Sequence, residues 1–329
     1  MRGLKSDHKD KIMKNLNSFR LIESIPASFS LRRQIRAGFY FFCSGILFLI
    51  VSIFVLYQNI CFSTSAPTVS SVSLNGGSNI TLVENTTTLV SATGTVTDTD
   101  GYSDISSVTG KIYRSGVGND CSADNNNCYE DSACATSSCD GNSCTATCDF
   151  NVYFYAEPTD DGIYATAQGW NTQEWIAWIK TIDSQSASSS ATNTTQAVDV
   201  NTLAALIIDS SITYDALDPG QNMASTTKQI YATTTGNVPI DVQIKGDAMT
   251  YGATGTIAVT NQRYSTTIND AWASANTASS SYQTLEMDLP KPTAHPSTST
   301  DIIYWGWQVP SGTPDGTYTG TNYFNAVED

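Results

Sequence analysis

An uncharged run of 21 residues, Ala37 to Tyr57 (AGFYFFCSGILFLIVSIFVLY), constrains this chain most, because it decides on which side of a membrane the remainder lies. At about 1.5 Å rise per residue, a helix of this length crosses the roughly 30 Å hydrocarbon core of a bilayer with its backbone polar groups satisfied internally. Residues 37–62 are therefore expected to form a transmembrane signal-anchor helix, with the lipid bilayer as partner through residues 37–57. Nine of the 16 Lys and Arg lie in the first 36 residues, against the three acids Asp7, Asp10 and Glu23, so this tail carries 9 − 3 = +6. Arg32, Arg33 and Arg36 abut the apolar run, and the positive-inside rule places residues 1–36 in the cytoplasm and the C-terminal part outside the cell membrane.

The run exceeds the roughly 7 to 15 apolar residues of a secretory h-region, and its basic leader is long for an n-region. Both features favour a retained anchor. Ser63-Thr64-Ser65-Ala66 offers small residues for a signal peptidase, but Pro67 obstructs cleavage there. Within the tail, Ile12, Leu16, Phe19 and Ile22 recur at helical spacing among Lys and Arg, the pattern of a short basic amphipathic helix.

After the tail, 7 basic residues face 28 acidic ones, which gives 7 − 28 = −21 of the total −15. Such a surface repels phosphates and excludes nucleic acid as a partner. From Thr68 onward the apolar period changes to two. Val69 to Leu74, Thr87 to Thr97, Ile105 to Arg114, Phe150 to Tyr155 and Glu174 to Ile182 are rich in Val, Ile, Thr, Tyr and Trp and are bounded by Gly76-Gly77, Asp100-Gly101 and Asp161-Gly162. Alternation between turn residues at this spacing predicts an all-β sandwich. Trp175, Ala177 and Ile179 share one face of the last strand and Ile176, Trp178 and Lys180 the other, so at least one Trp is expected in the core. Ser184 to Thr195 fits a linker or a solvent-facing edge strand. A second series follows, including Lys228 to Thr234, Val238 to Lys245, Tyr282 to Leu289, Asp301 to Val309 and Thr317 to Ala326, with turns at Gly236-Asn237 and Asp315-Gly316. The expected division is a first β-sandwich over 63–197 and a second over 198–329.

Six of the eight cysteines fall at 121, 128, 134, 139, 144 and 148, among Asp, Asn, Ser and Gly. An even count in an exported segment predicts disulfides joining Cys121, Cys128, Cys134, Cys139, Cys144 and Cys148, with the pairing left open. The scarcity of apolar residues there suggests a stapled insertion over 115–149, unable to build a core of its own. It serves either as a recognition surface or as armour against proteases.

Candidate chemistry is sparse. Asp98, Asp100 and Asp104 surround Gly101, and a loop of this kind can offer hard oxygens to calcium at about 2.3 to 2.6 Å, although Asp-Gly is also a common hairpin turn. Beyond possible calcium no cofactor is expected. His8 and His295 are the only histidines, and no GxSxG, HExxH or glycine-rich phosphate loop occurs, so no enzyme activity is expected. Trp305 and Trp307 share a face of one strand and form either a platform for sugar rings or part of a core. Asn79, Asn85 and Asn193 head glycosylation sequons.

Tyr304 to Pro310 followed by SGTPDGTYTGTNYF resembles the closing strand pair of immunoglobulin-like cell-surface domains of prokaryotes. TTTGNVPIDVQIKG and ATGTVTDTDGYSDISSVTGKIY resemble further segments of such domains. The resemblance implies two tandem immunoglobulin-like β-sandwich domains after the N-terminal transmembrane helix, in a class that includes adhesins, surface-layer subunits and stalk modules, and it carries over no functional residue. The expected role is thus a membrane-anchored extracellular structural or adhesive surface protein whose partner is an extracellular protein or glycan. The alternatives are a carbohydrate-binding module and a glycosidase, which needs two carboxylates about 5 to 9.5 Å apart.

Overall fold

Period-two burial runs through the computed structural model, which describes residues 65–329 apart from 194, 195, 197 and 254. The tail pattern, the apolar run Ala37 to Tyr57, His8, Cys43 and Cys61 lie outside the described residues. Among the described residues no helix is long and apolar enough to cross a membrane.

The first half contains β1 (Thr68–Leu74), β2 (Thr87–Thr97), β3 (Ile105–Arg114), β4 (Cys128–Asp131), β5 (Ala135–Asp140), β6 (Ser143–Tyr153), β7 (Trp175–Asp183) and β8 (Ser188–Thr192). They form two four-stranded sheets, ordered β1-β2-β6-β5 and β4-β3-β7-β8, and every pairing is antiparallel. Val90, Ala92 and Val96 on β2 and Ala146, Phe150 and Val152 on β6 share one core with Val108 and Ile112 on β3 and Trp175, Ala177 and Ile179 on β7. The inner faces of the two sheets therefore meet across it. A Cβ on Gly110 of β3 would stand 2.5 Å from Cys148 Sγ on β6, which explains the absence of a side chain there. Trp175 is wholly buried, and its indole N–H donates to the Glu157 carbonyl at 3.1 Å.

Residues 115–149 do not project as an insertion. They supply β4, β5 and most of β6, and β6 is an interior strand of its sheet. Cys144, Ala146 and Cys148 alternate inward in phase with Phe150 and Val152. Cysteine is a small hydrophobe once bridged and fills these places.

The second half contains β9 (Leu206–Ile208), β10 (Lys228–Thr234), β11 (Ile240–Gly246), β12 (Met249–Tyr251), β13 (Gly255–Ile257), β14 (Gln262–Ser265), β15 (Asn276–Thr277), β16 (Gln283–Leu289), β17 (Thr300–Trp307) and β18 (Asn322–Glu328). Sheet β15-β14-β17-β10-β9 and sheet β16-β11-β18 enclose a second core built on Ile230, Ile240, Val242, Ile244, Leu285, Ile303 and Trp305. The hairpin β12-β13 covers a smaller cluster of Met249, Ile257 and Val309. One short helix, α1 (Ile163–Ala167), precedes β7.

Both halves belong to one compact unit, Thr64–Asp329. Val198 and Val200 pack into the first core and Ala204 and Leu206 against the second, so the handover falls near Leu203. Asn237, fully buried, fastens this seam. Its Oδ1 accepts from Leu203 N at 2.7 Å and its Nδ2 donates to Asn201 O at 3.0 Å. A side chain on Gly236 would collide with the Leu203 carbonyl.

Candidate functional site, a cluster of buried aspartates

The turn after β2 and the end of β7 bring Asp98, Asp104 and Asp183 together, with one carboxylate oxygen of each within 4.8 Å of the others. Asp98 and Asp183 are almost wholly buried. Local turns occupy the Oδ1 atoms. Asp98 Oδ1 accepts from Asp100 N at 2.9 Å, Asp183 Oδ1 accepts from Gln185 N at 2.9 Å and Ala187 N at 2.8 Å, and Asp104 Oδ1 accepts from the Ser184 hydroxyl. The three Oδ2 atoms are buried and have no hydrogen-bond partner.

Three carboxylates at this separation repel by about 3.5 kcal/mol or more per pair at an effective dielectric of about 20, and each orphaned oxygen carries an added desolvation cost. A hard cation would relieve both. Gly101 adopts φ 111° and allows the turn to double back. Of the three aspartates singled out in the sequence, the structure brings together Asp98 and Asp104. Asp100 is exposed and accepts from Ser65 N at 2.7 Å instead. Asp183 completes the set from a distant strand, through the register that pairs it with Ile105.

A second trio, Asp131, Cys134 and Cys148, also lies within ligand distance, but its sulfurs are joined to each other. Asp131 already accepts from Ala133 N and Asp149 N, each at 3.0 Å. It offers no thiolate and no free oxygen. The remaining bridges are Cys121–Cys128 and Cys139–Cys144, so all six clustered cysteines are oxidised.

Neither a known protein family nor a curated protein matches the sequence.

Trp305 is 0% exposed and presents no ring face to a sugar. Trp307 is half-buried, stacks on Tyr214 at 5.5 Å, and donates its indole N–H to Asp215 O. Asn193 is buried as well. Its amide accepts from Ala177 N at 2.6 Å and donates to Gln196 O, so the folded chain does not offer this sequon for glycosylation, whereas Asn79 is exposed. An open depression of about 550 Å³ between Leu82, Leu206 and Phe324 carries one carboxylate, Glu84, and no opposed pair. His295 packs against Phe154 and Tyr153, with ring centroids 5.8 and 6.1 Å away.

Proposed function

We propose that the chain is a membrane-anchored surface protein with a structural or adhesive, non-catalytic role, whose immunoglobulin-like ectodomain is fixed by disulfides and by a calcium ion at Asp98, Asp104 and Asp183. The observation that carries this reading is the convergence of three aspartates, one carboxylate oxygen of each within 4.8 Å of the others and each with a buried Oδ2 that has no hydrogen-bond partner, in a half of the chain that also holds three disulfides. Disulfides persist in oxidising surroundings, and calcium prefers oxygen donors, with weak sites common in extracellular modules. Backbone carbonyls and water would complete its coordination. The N-terminal apolar run with its basic flank supplies the anchor and orientation. The buried Trp305 removes half of the proposed sugar platform, and the apolar depression lacks the paired carboxylates of a glycosidase.

Two measurements test the proposal. A C-terminal tag on the full chain should be labelled on intact cells; labelling only after permeabilisation would refute the surface assignment. Millimolar calcium should raise the melting temperature of the chelator-treated protein by about 5 °C or more, given about 2.7 kcal/mol for a ligand at 100 times its Kd. The Asp183→Asn variant should cross over. With chelator it should match or exceed the parent, because one of three repelling charges is gone, and with calcium it should fall below. An unchanged calcium response in this variant would exclude the site.

A further inference from the structure

The loop between β16 and β17 carries Lys291 from the second half of the chain to the first. Its Nζ donates to Asn126 Oδ1 at 2.7 Å and lies 5.9 Å from the centroid of the Tyr155 ring. Asn126 belongs to the small loop closed by Cys121–Cys128, and its Nδ2 donates to Glu157 Oε1 at 2.8 Å. Glu157 is buried and fixed on three further sides. Arg114 Nε lies 2.5 Å from its Oε2, Asn127 Nδ2 donates to Oε1 at 3.2 Å, and its backbone N–H donates to Asn126 O at 3.0 Å. One chain of hydrogen bonds thus joins an amine, a carboxamide and a carboxylate.

This arrangement meets the requirements of acyl transfer between side chains. The hydrogen bond to Oδ1 holds Nζ beside the Asn126 carbonyl, and a rotation within the flexible lysine stem brings the nitrogen lone pair onto the carbonyl face. An amine attacks only when unprotonated. Burial lowers Lys291 from its ordinary 10.5 to about 8, against the opposing attraction of Glu157 and Asp124, so neutral amine is present at mildly alkaline pH. Glu157 already touches the nitrogen that must leave, as a proton carrier should. No carboxylate lies within ion-pair distance of Lys291 among the described residues, so the ammonium form gains little from remaining there.

We propose that Lys291 and Asn126 become joined by an intramolecular isopeptide bond, with Glu157 as the catalytic proton carrier. Lys291 Nζ attacks Asn126 Cγ and forms the Nζ–Cγ bond. The proton lost from Nζ passes by way of Glu157 Oε1 to Nδ2, the Cγ–Nδ2 bond breaks, and its electron pair leaves with nitrogen as ammonia. Nothing is oxidised or reduced, and one ammonia released balances one secondary amide formed. The product ties the β16–β17 loop covalently to the disulfide-closed loop before β4 and so locks the two halves together.

Mass spectrometry of the intact, non-reduced full chain tests this directly. The mass should be lower than that of the three-disulfide chain by one ammonia, and a reduced digest should yield a branched peptide joining the Asn126 and Lys291 segments. Lys291→Arg keeps a cation and a donor but cannot make the bond, and it should show neither the ammonia loss nor the branched peptide. Glu157→Gln should leave the two side chains unlinked; because this change disturbs a buried ion pair, Lys291→Arg carries the test if the Gln variant fails to fold. A parent mass without the ammonia loss overturns the proposal, as does an ammonia loss that persists in Lys291→Arg. Neither outcome bears on calcium or on the surface assignment.

Discussion

Replacing Cys134 and Cys148 together by alanine is expected to cost about 3 to 5 kcal/mol of stability, a large share of the 5 to 15 kcal/mol typical of a domain. The bridge spans 14 residues, and in the chain-entropy account a loop of about this size contributes roughly 3 kcal/mol by restricting the unfolded state. Cys148 is also fully buried with its sulfur against Gly110, so removing sulfur leaves a void in the core. The Cys139–Cys144 bridge encloses a shorter loop, at a separation of 5, and Cys139 is exposed; its removal should cost less. Urea unfolding followed by tryptophan fluorescence reads the difference through Trp175 in the same core. Equal midpoints for the parent and the Cys134/Cys148 variant would mean that this bridge does not stabilise the first half.

Trp305→Ala should be comparably damaging, at about 3 to 5 kcal/mol, because it empties the centre of the second core. The ring packs against Tyr264 at 5.3 Å and Phe324 at 6.1 Å. Its indole N–H is buried without a partner, which already costs about 1 to 3 kcal/mol. Trp305→Phe removes that orphaned donor while keeping an aromatic ring, so it should lose much less than the alanine variant. Chemical denaturation of the two variants side by side reads the ordering. A Trp serving as a sugar platform would behave differently, since its loss would weaken glycan binding and leave the unfolding midpoint in place.

Much of the fold was legible from alternation alone. Thr87 to Thr97, Ile105 to Arg114 and Lys228 to Thr234 coincide with β2, β3 and β10, because each sends every second residue of its central stretch inward, Val90, Ala92 and Val96, Val108 and Ile112, and Ile230 and Ala232. The same rule, applied to Cys144, Ala146, Cys148, Phe150 and Val152, would have found the start of β6. The polar setting of the cysteines hid it, since bridged sulfur fills core positions normally held by valine. β12, β14 and β15 are only two to four residues long, too short for periodicity to register.

The aspartate cluster was half legible. Asp98 and Asp104 stood out through their turn, but Asp100 is spaced like a ligand and points elsewhere. Asp183 left a usable trace, because it continues the inward series Trp175, Ala177, Ile179, Thr181 on β7, and an acid in phase with a buried face needs a reason to be there. The meeting of Lys291 with Asn126 had no such trace. Two residues 165 positions apart, both in turn-like sequence, are brought together only by the packing of the two halves.

The seam at Asn237 has a consequence for how damage spreads. Its side chain answers backbone groups on both sides of the handover, and Gly236 leaves no clearance against the Leu203 carbonyl, so the connection works as a weld. Melting one half would leave buried amides of the other without partners. The two cores are therefore expected to unfold in one cooperative transition, so that a lesion in either lowers the stability of both.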